Sequence, residues 1–337
     1  MQGLDATNEN TMNMDNNKYN FPIEKDALMV NEPQRGWGGP WTEEKLDTFE
    51  KYVKAYLTIM RKYATNNGWD LFYFDAFAGS GSRDSETEDN NNTEDTLFGE
   101  EEIKEITKQA SYKGAAERVL RADIDGFSFN YYYFVDKNEQ SLQALSKKLK
   151  ELYPNQANRM AFKSGDANEK ILELVNYAKT HPKCAALVLL DPFGMQLNWE
   201  TIQALKNIKH IDLWILVPSG VIINRLLTRS GKILCPERME NTFGMSIDDI
   251  QKYFYQQVSE PGLFGDIVRQ QKRDNTIHRI AQLYLDLLGK EFSYVIKQPL
   301  VLTNSTNCPI FHFVFASHNQ TGVKIASEIV TKKNRKE

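Results

Sequence analysis

Phe74-Asp75-Ala76-Phe77-Ala78-Gly79-Ser80-Gly81 decides how this chain reads, because an aromatic-rich strand runs directly into a turn of Ala, Gly and Ser. Residues with little or no side chain tolerate the positive φ angles of so tight a turn and let backbone pass close to a bound ligand. In an open α/β sheet such a turn lies at the carboxyl end of the first strand, where cofactors bind. Asp75, at the end of the strand, is expected to face that crevice, with Ala76, Phe77, Gly79 and Gly81 around it. Alone, the stretch reads more readily as an ordinary tight turn than as a nucleotide site. Its meaning depends on the strands downstream.

Three more acidic strand ends come in order. Residues 129–136 form an aromatic and β-branched run closing on Asp136, and Leu142, Leu145, Leu149 and Leu152 then recur at helical spacing. A carboxylate at the end of the second strand can take both hydroxyls of a ribose; it can also cap the helix starting near Asn138. Residues 161–168 read as a short strand ending on Gly165-Asp166, and the apolar run from Ala185 to Leu190 ends on Asp191-Pro192-Phe193-Gly194. All four acids are expected at one edge of one sheet.

This succession resembles the motifs of class I S-adenosylmethionine-dependent methyltransferases. More closely, Asp75-Ala76-Phe77-Ala78-Gly79, Gly165-Asp166-Ala167-Asn168, Asp191-Pro192-Phe193-Gly194 and the opening Trp41-Thr42-Glu43-Glu44-Lys45-Leu46 resemble the three-Cys-motif partner (TcmP) family, over roughly residues 35–320. The resemblance implies an α/β, class I methyltransferase-like (Rossmann-like) doubly wound, mainly parallel sheet with helical additions. It implies S-adenosylmethionine as cofactor, held by Asp75, Ala76, Phe77, Gly79, Gly81, Asp136, Asp166 and Asn168, with Phe162 or Ala167 packing on the adenine. Asp166 and Asn168 have a competing role as caps of the helix that begins near Asn168.

In methyltransferases acting on exocyclic amines of bases, an acid or Asn followed by Pro-Pro-aromatic aligns the nitrogen. Here Phe193 replaces the second Pro and Gly194 the aromatic, so Asp191, Pro192 and Phe193 are the implied catalytic residues, with Phe193 as the stacking ring. The tetrad also resembles that of the tRNA guanine-N2 methyltransferases. Two functions are implied: methyl transfer to an exocyclic amine of a nucleobase, or a cofactor-binding or non-catalytic partner subunit of another enzyme, with a protein bearing a three-Cys motif as the implied partner.

Composition narrows the context. The chain has 337 residues, above the usual size of one core, and no apolar run of the roughly 18 residues that a membrane span requires. The reading is a cytoplasmic protein without membrane contact. Cys184, Cys235 and Cys308 are scattered, and no pairing of ligand types suggests a metal cage. Net charge is −4, yet residues 84–105 hold ten acids against Lys104 alone, a local −9 that leaves +5 on the rest. So polar a stretch reads as a flexible insertion over the cofactor mouth, either a passive loop or an acidic shield for a basic cleft.

The expected organisation is a loose segment 1–34, a core 35–217 interrupted by the acidic insertion 82–112, a helical insertion 218–290, closing strands and a helix over 291–330, and a basic tail 331–337. Thr42 is the expected N-cap of a first helix running to about Ala64. Expected helices at 222–228, 247–258 and 276–288 precede late strands at 292–298 and 310–317. Arg225, Arg229, Lys232 and Arg269 are the candidate nucleic-acid contacts, with Arg238, Lys272, Arg273 and Arg279 nearby and Trp199, Trp214, Tyr253 and Tyr255 as candidate stacking aromatics. Each of these aromatics can equally be core.

Overall fold

The run Cys184–Leu190 is buried at all seven positions, as a strand must be when both faces of a parallel sheet are covered. The same holds for Ile211–Val217. The computed structural model describes residues 40–80 and 114–334. The segment 1–34, the acidic insertion 82–112 and Arg335 and Lys336 lie outside the described residues.

Five parallel strands form the body: β1 (Asp70–Asp75), β2 (Tyr131–Asp136), β3 (Met160–Ser164), β4 (Cys184–Leu190) and β5 (Ile211–Val217). Their order is β3-β2-β1-β4-β5. The chain therefore begins mid-sheet, winds outward to β3, then crosses back to β4. The strand order reverses between β1 and β4, and ligands of doubly wound sheets bind outside the carboxyl ends at that point.

Beyond β5 the sheet is completed by short strands β8 (Tyr294–Val295) and β9 (Leu300–Thr303), and by β10 (Pro309–Ser317), antiparallel to β5. Both β8 and β9 pair with the far side of β10. This is the class I methyltransferase-like architecture that the motifs imply.

Helices cover the sheet. α1 (Pro40–Asn67) buries Leu46, Phe49, Tyr52, Val53, Tyr56, Leu57, Met60 and Ala64 along one stripe, the spacing that makes a helix amphipathic. It packs on α2 (Ala115–Arg121) and on the last helix, α9 (Gln320–Asn334). Arg118 of α2 ties the pair together through Glu43, Asp47 at 2.7 Å and Glu50 at 3.3 Å. α3 (Glu139–Leu152), α4 (Ala167–Thr180), α5 (Trp199–Leu205) and α8 (Thr276–Glu291) complete the layers, with α6 (Pro236–Phe243) and α7 (Ile247–Phe254) between β5 and α8.

The structure differs from the sequence reading in three places. α1 already begins at Pro40, so Thr42 lies inside it rather than capping it. The expected helix over 247–258 stops at Phe254, and the expected helical insertion contains an antiparallel ribbon, β6 (Tyr255–Gly262) and β7 (Gly265–Lys272). Pro261 cannot continue a helix, and Gly262 and Gly265 frame the two-residue turn of a hairpin. In the expected strand over 292–298, only Tyr294–Val295 is strand, and Leu300–Thr303 supplies the missing pairing.

Candidate active site

Gly79 follows β1 with φ +60°, the left-handed region that favours glycine, and a Cβ built there would meet nothing within 4 Å among the described residues. Its N–H donates to Asp136 Oδ2 at 2.8 Å, while Asn138 N–H donates to Oδ1 at 2.7 Å. Two backbone donors thus fix the carboxylate at the end of β2, and among the described residues each oxygen keeps a free lone pair. The open side of Gly79 and those remaining lone pairs fit a ribose. Gly81 lies outside the described residues.

Asp75 does not line the open crevice. It is 2% exposed, accepts from Tyr73 O–H at 3.0 Å and Phe77 N–H at 3.2 Å, and sits close enough to Asp191 to feel its charge. Burial, reinforced by Asp191, pushes its pKa up to about 7. The strand's burial explains the correction, since Asp75 sits in a strand buried at every position after Asp70. Ala76 is buried beside it, and Phe77 is half-buried.

Asp166 caps α4, accepting from Asn168 N–H at 2.9 Å, which is the capping alternative. Asn168 is not free to read an adenine edge. Its amide donates to Asp166 Oδ1 at 3.1 Å and Gln196 O at 2.9 Å, and its Oδ1 accepts from Asn198 N–H at 2.9 Å. It clamps the loop after β4 against α4. Phe162 stacks on Phe134 at 5.2 Å, with the Lys150 ammonium 5.5 Å from its ring, and Ala167 is buried.

In the tetrad, Pro192 and Gly194 are buried while Phe193 is 42% exposed, its N–H donating to Gln196 Oε1 at 3.2 Å. A narrow pocket opens beneath, lined by Pro192, Gly194, Met195, Val217, Pro218 and Tyr284. Asp191 Oδ2 is paired with Lys45 Nζ, and its Oδ1 has no partner among the described residues. Lys45 comes from α1 and is 5% exposed, its ammonium 5.7 Å from the Trp41 ring.

Sequence reasoning missed Lys45. Its one signal was a cation four residues before Phe49, on the apolar stripe of α1. At the end of β5, buried Ser219 Oγ and His312 Nδ1 lie 2.6 Å apart, another pair not foreseen. Burial, with His278 adding, pulls the His312 pKa down to about 4, so the imidazole is neutral at neutral pH.

The candidate nucleic-acid residues divide. Arg225, Arg229 and Lys232 are exposed, and their side chains have no ion-pair partner among the described residues. Arg269 pairs with Glu260 at 3.6 Å. Lys272 is instead an internal fastener, donating to Asn224 O, Asn224 Oδ1 and Leu227 O at 2.6–2.8 Å. Trp199, Trp214 and Tyr255 belong to the core and do not offer stacking faces.

Neither a family model nor a curated protein matches the chain. Among solved structures, it is similar to a Legionella pneumophila protein of the DUF519 family, at 15% identity over 84% of this chain and 90% of that one, with a TM-score of 0.37. The glycopeptide N-methyltransferase MtfA complexed with (S)-adenosyl-L-homocysteine gives 12% identity, 87% and 96% coverage and a TM-score of 0.30. The DszA carbon methyltransferase gives 11%, 81% and 54%, and 0.33. Likenesses this distant fix neither activity nor substrate. Among the described residues, no helix is long and apolar enough to cross a membrane.

Proposed function

We propose that the chain is an S-adenosylmethionine-dependent methyltransferase of the three-Cys-motif partner type, acting on an exocyclic amine of a nucleobase. The observation that carries the cofactor reading is the fixed pair at the switch point: Gly79 in a left-handed turn with open space before it, holding Asp136 ready for a ribose. Asp166, with Oδ2 unused in the cap, is the group available to an adenine amine.

When bound, the cofactor supplies an activated methyl group on a sulfonium. The protein's task is then placement of the acceptor nitrogen, with its lone pair in line. Asp191 Oδ1 accepts one hydrogen of the amine, and the same carboxylate takes the proton that the nitrogen releases. Lys45 on Oδ2 holds the orientation of that carboxylate and leaves Oδ1 to the acceptor. Phe193, exposed beside it, presents a ring on which a base can stack.

A second reading, a cofactor-binding partner subunit for a protein with a three-Cys motif, is favoured by the same ion pair, because Lys45 occupies half of the acceptor-orienting carboxylate. Transfer of labelled methyl from S-adenosylmethionine to tRNA, single-stranded DNA and cell extract separates the two. Incorporation by the wild type, lost in Asp191→Ala while cofactor affinity stays near wild type, supports the transferase. A wild type that binds cofactor but labels none of these leaves the partner-subunit reading.

A further inference from the structure

Between α7 and α8 the chain leaves the body as a two-stranded ribbon whose strands, among the described residues, pair only with each other, from Tyr255 opposite Lys272 to Gly262 opposite Gly265. Eight residues at about 3.4 Å each make an arm about 25 Å long. Its turn is Leu263-Phe264, 91% and 99% exposed, and Ile267 and Val268 just below are exposed as well. Apolar side chains gathered on an arm that the body does not cover mark an interaction surface.

Charge at the foot of the arm indicates what it meets. Residues 224–234 carry Arg225, Arg229 and Lys232, all exposed, and no carboxylate. This segment is fastened to the ribbon by the three Lys272 bonds, by Tyr255 O–H to Thr228 O at 2.9 Å, and by Gly231, whose Cβ would lie 2.5 Å from that of Gln270. On the arm itself, Asp266 stands near the turn and Glu260 holds Arg269 in an exposed pair, an interaction weak enough to exchange for a phosphate. Of the neighbouring acids, Glu240 accepts from Ile247 N–H at 2.7 Å and Asp249 from the Ser246 hydroxyl at 2.8 Å. The segment departs from the carboxyl end of β5, the edge that also holds Asp191 and Phe193.

We propose that this ribbon is an arm that grips a single-stranded nucleic acid, with Leu263 and Phe264 set against unpaired bases and Arg225, Arg229 and Lys232 on the phosphates. Cations position the backbone and apolar or aromatic groups take the base faces, which is how unpaired strands are held without sequence readout. A protein partner or a second copy of the chain would use the apolar turn but has no need of three exposed cations at its foot, none of them paired among the described residues. The arm rests on the nucleobase reading only for its link to methyl transfer.

The test uses the full chain and fluorescein-labelled 20-nucleotide single-stranded RNA and DNA, with anisotropy followed from 50 to 200 mM salt. Leu263→Ser with Phe264→Ser is expected to weaken binding about tenfold or more without changing the salt slope. Arg225→Gln with Arg229→Gln and Lys232→Gln is expected to flatten the slope of log affinity against log salt by about 2. Equal affinity and slope in wild type and both variants, no binding by the wild type, or a wild-type dimer that the turn variant dissolves would each overturn the arm. Cofactor titration on the same samples keeps the two readings apart: binding of S-adenosylmethionine without oligonucleotide sinks the arm alone, and the reverse sinks the cofactor site alone.

Discussion

The crevice where β1 and β4 part company and the ribbon Tyr255–Lys272 are built on opposite terms. At the crevice, Asp136, Asp166 and Asp191 each accept from specific donors and Asn168 both donates and accepts, while Asp75 is buried at the end of β1 and bonded to Phe77 N–H. In the ribbon, the residues of the turn touch almost nothing and are nearly fully exposed. A side chain in the crevice therefore serves folding and chemistry together, and removing it disturbs its partners. Side chains at the turn have no folding role, which leaves interaction as the physical reason for their being apolar.

That contrast breaks first, if it breaks, at Asp191. Removing it strands Lys45 as a nearly buried cation, and breaking such a pair from one side costs about 3–5 kcal/mol when both partners are buried. With Asp191 partly exposed, Asp191→Ala is expected to lose about 2–4 kcal/mol in urea denaturation. Adding Lys45→Met should recover most of the loss. A double variant no more stable than the single one would show that the ion pair is not what the crevice depends on.

The pH dependence sharpens the comparison. Asp75 is raised from 3.8 to about 7, so its contribution to stability is fully present below pH 4 and is lost as pH rises through 7. His312 is lowered from 6.5 to about 4, so its contribution is present above pH 6.5 and is lost as pH falls towards 4. Between pH 4 and 6.5 the two oppose each other. Relative to wild type, Asp75→Asn should gain stability from pH 4 to 7 and His312→Gln from pH 7 to 4, each by on the order of 3 kcal/mol. Thermal unfolding across that range should show two difference curves of opposite slope; parallel or flat curves would contradict the burial argument.

The smallest effect belongs to the ribbon. Leu263→Ser with Phe264→Ser is expected to change the unfolding free energy by less than about 0.5 kcal/mol, the usual result for exposed positions. A larger loss would mean that the turn supports the fold after all.

Much of the sheet was legible because β1 to β4 declare themselves locally, each by a short run that ends at or just before an acid. Asp75, Asp136, Asp166 and Asp191 all fall at such ends. Roles within the crevice were less legible, because they depend on partners distant in sequence: Lys45 meets Asp191 across 146 residues, and Asn168 meets Asn198 across 30. Trp214 and Tyr255 carry no mark that separates a core ring from a stacking one, and burial alone decides. The ribbon was missed because Ile247 to Val258 keeps apolar residues at helical spacing past the true end of α7, while Pro261 and the paired glycines give the hairpin signal only further on.

The claim on which the rest stands is that the turn after β1 and Asp136 hold S-adenosylmethionine, and isothermal titration of the cofactor tests it most directly. Binding to the wild type is expected, weakened about tenfold or more by Gly79→Val, which forces a β-branched residue to φ +60° in the space the ligand approaches, and likewise by Asp136→Ala. No heat of binding in the wild type, or two folded variants that titrate as the wild type does, would contradict it.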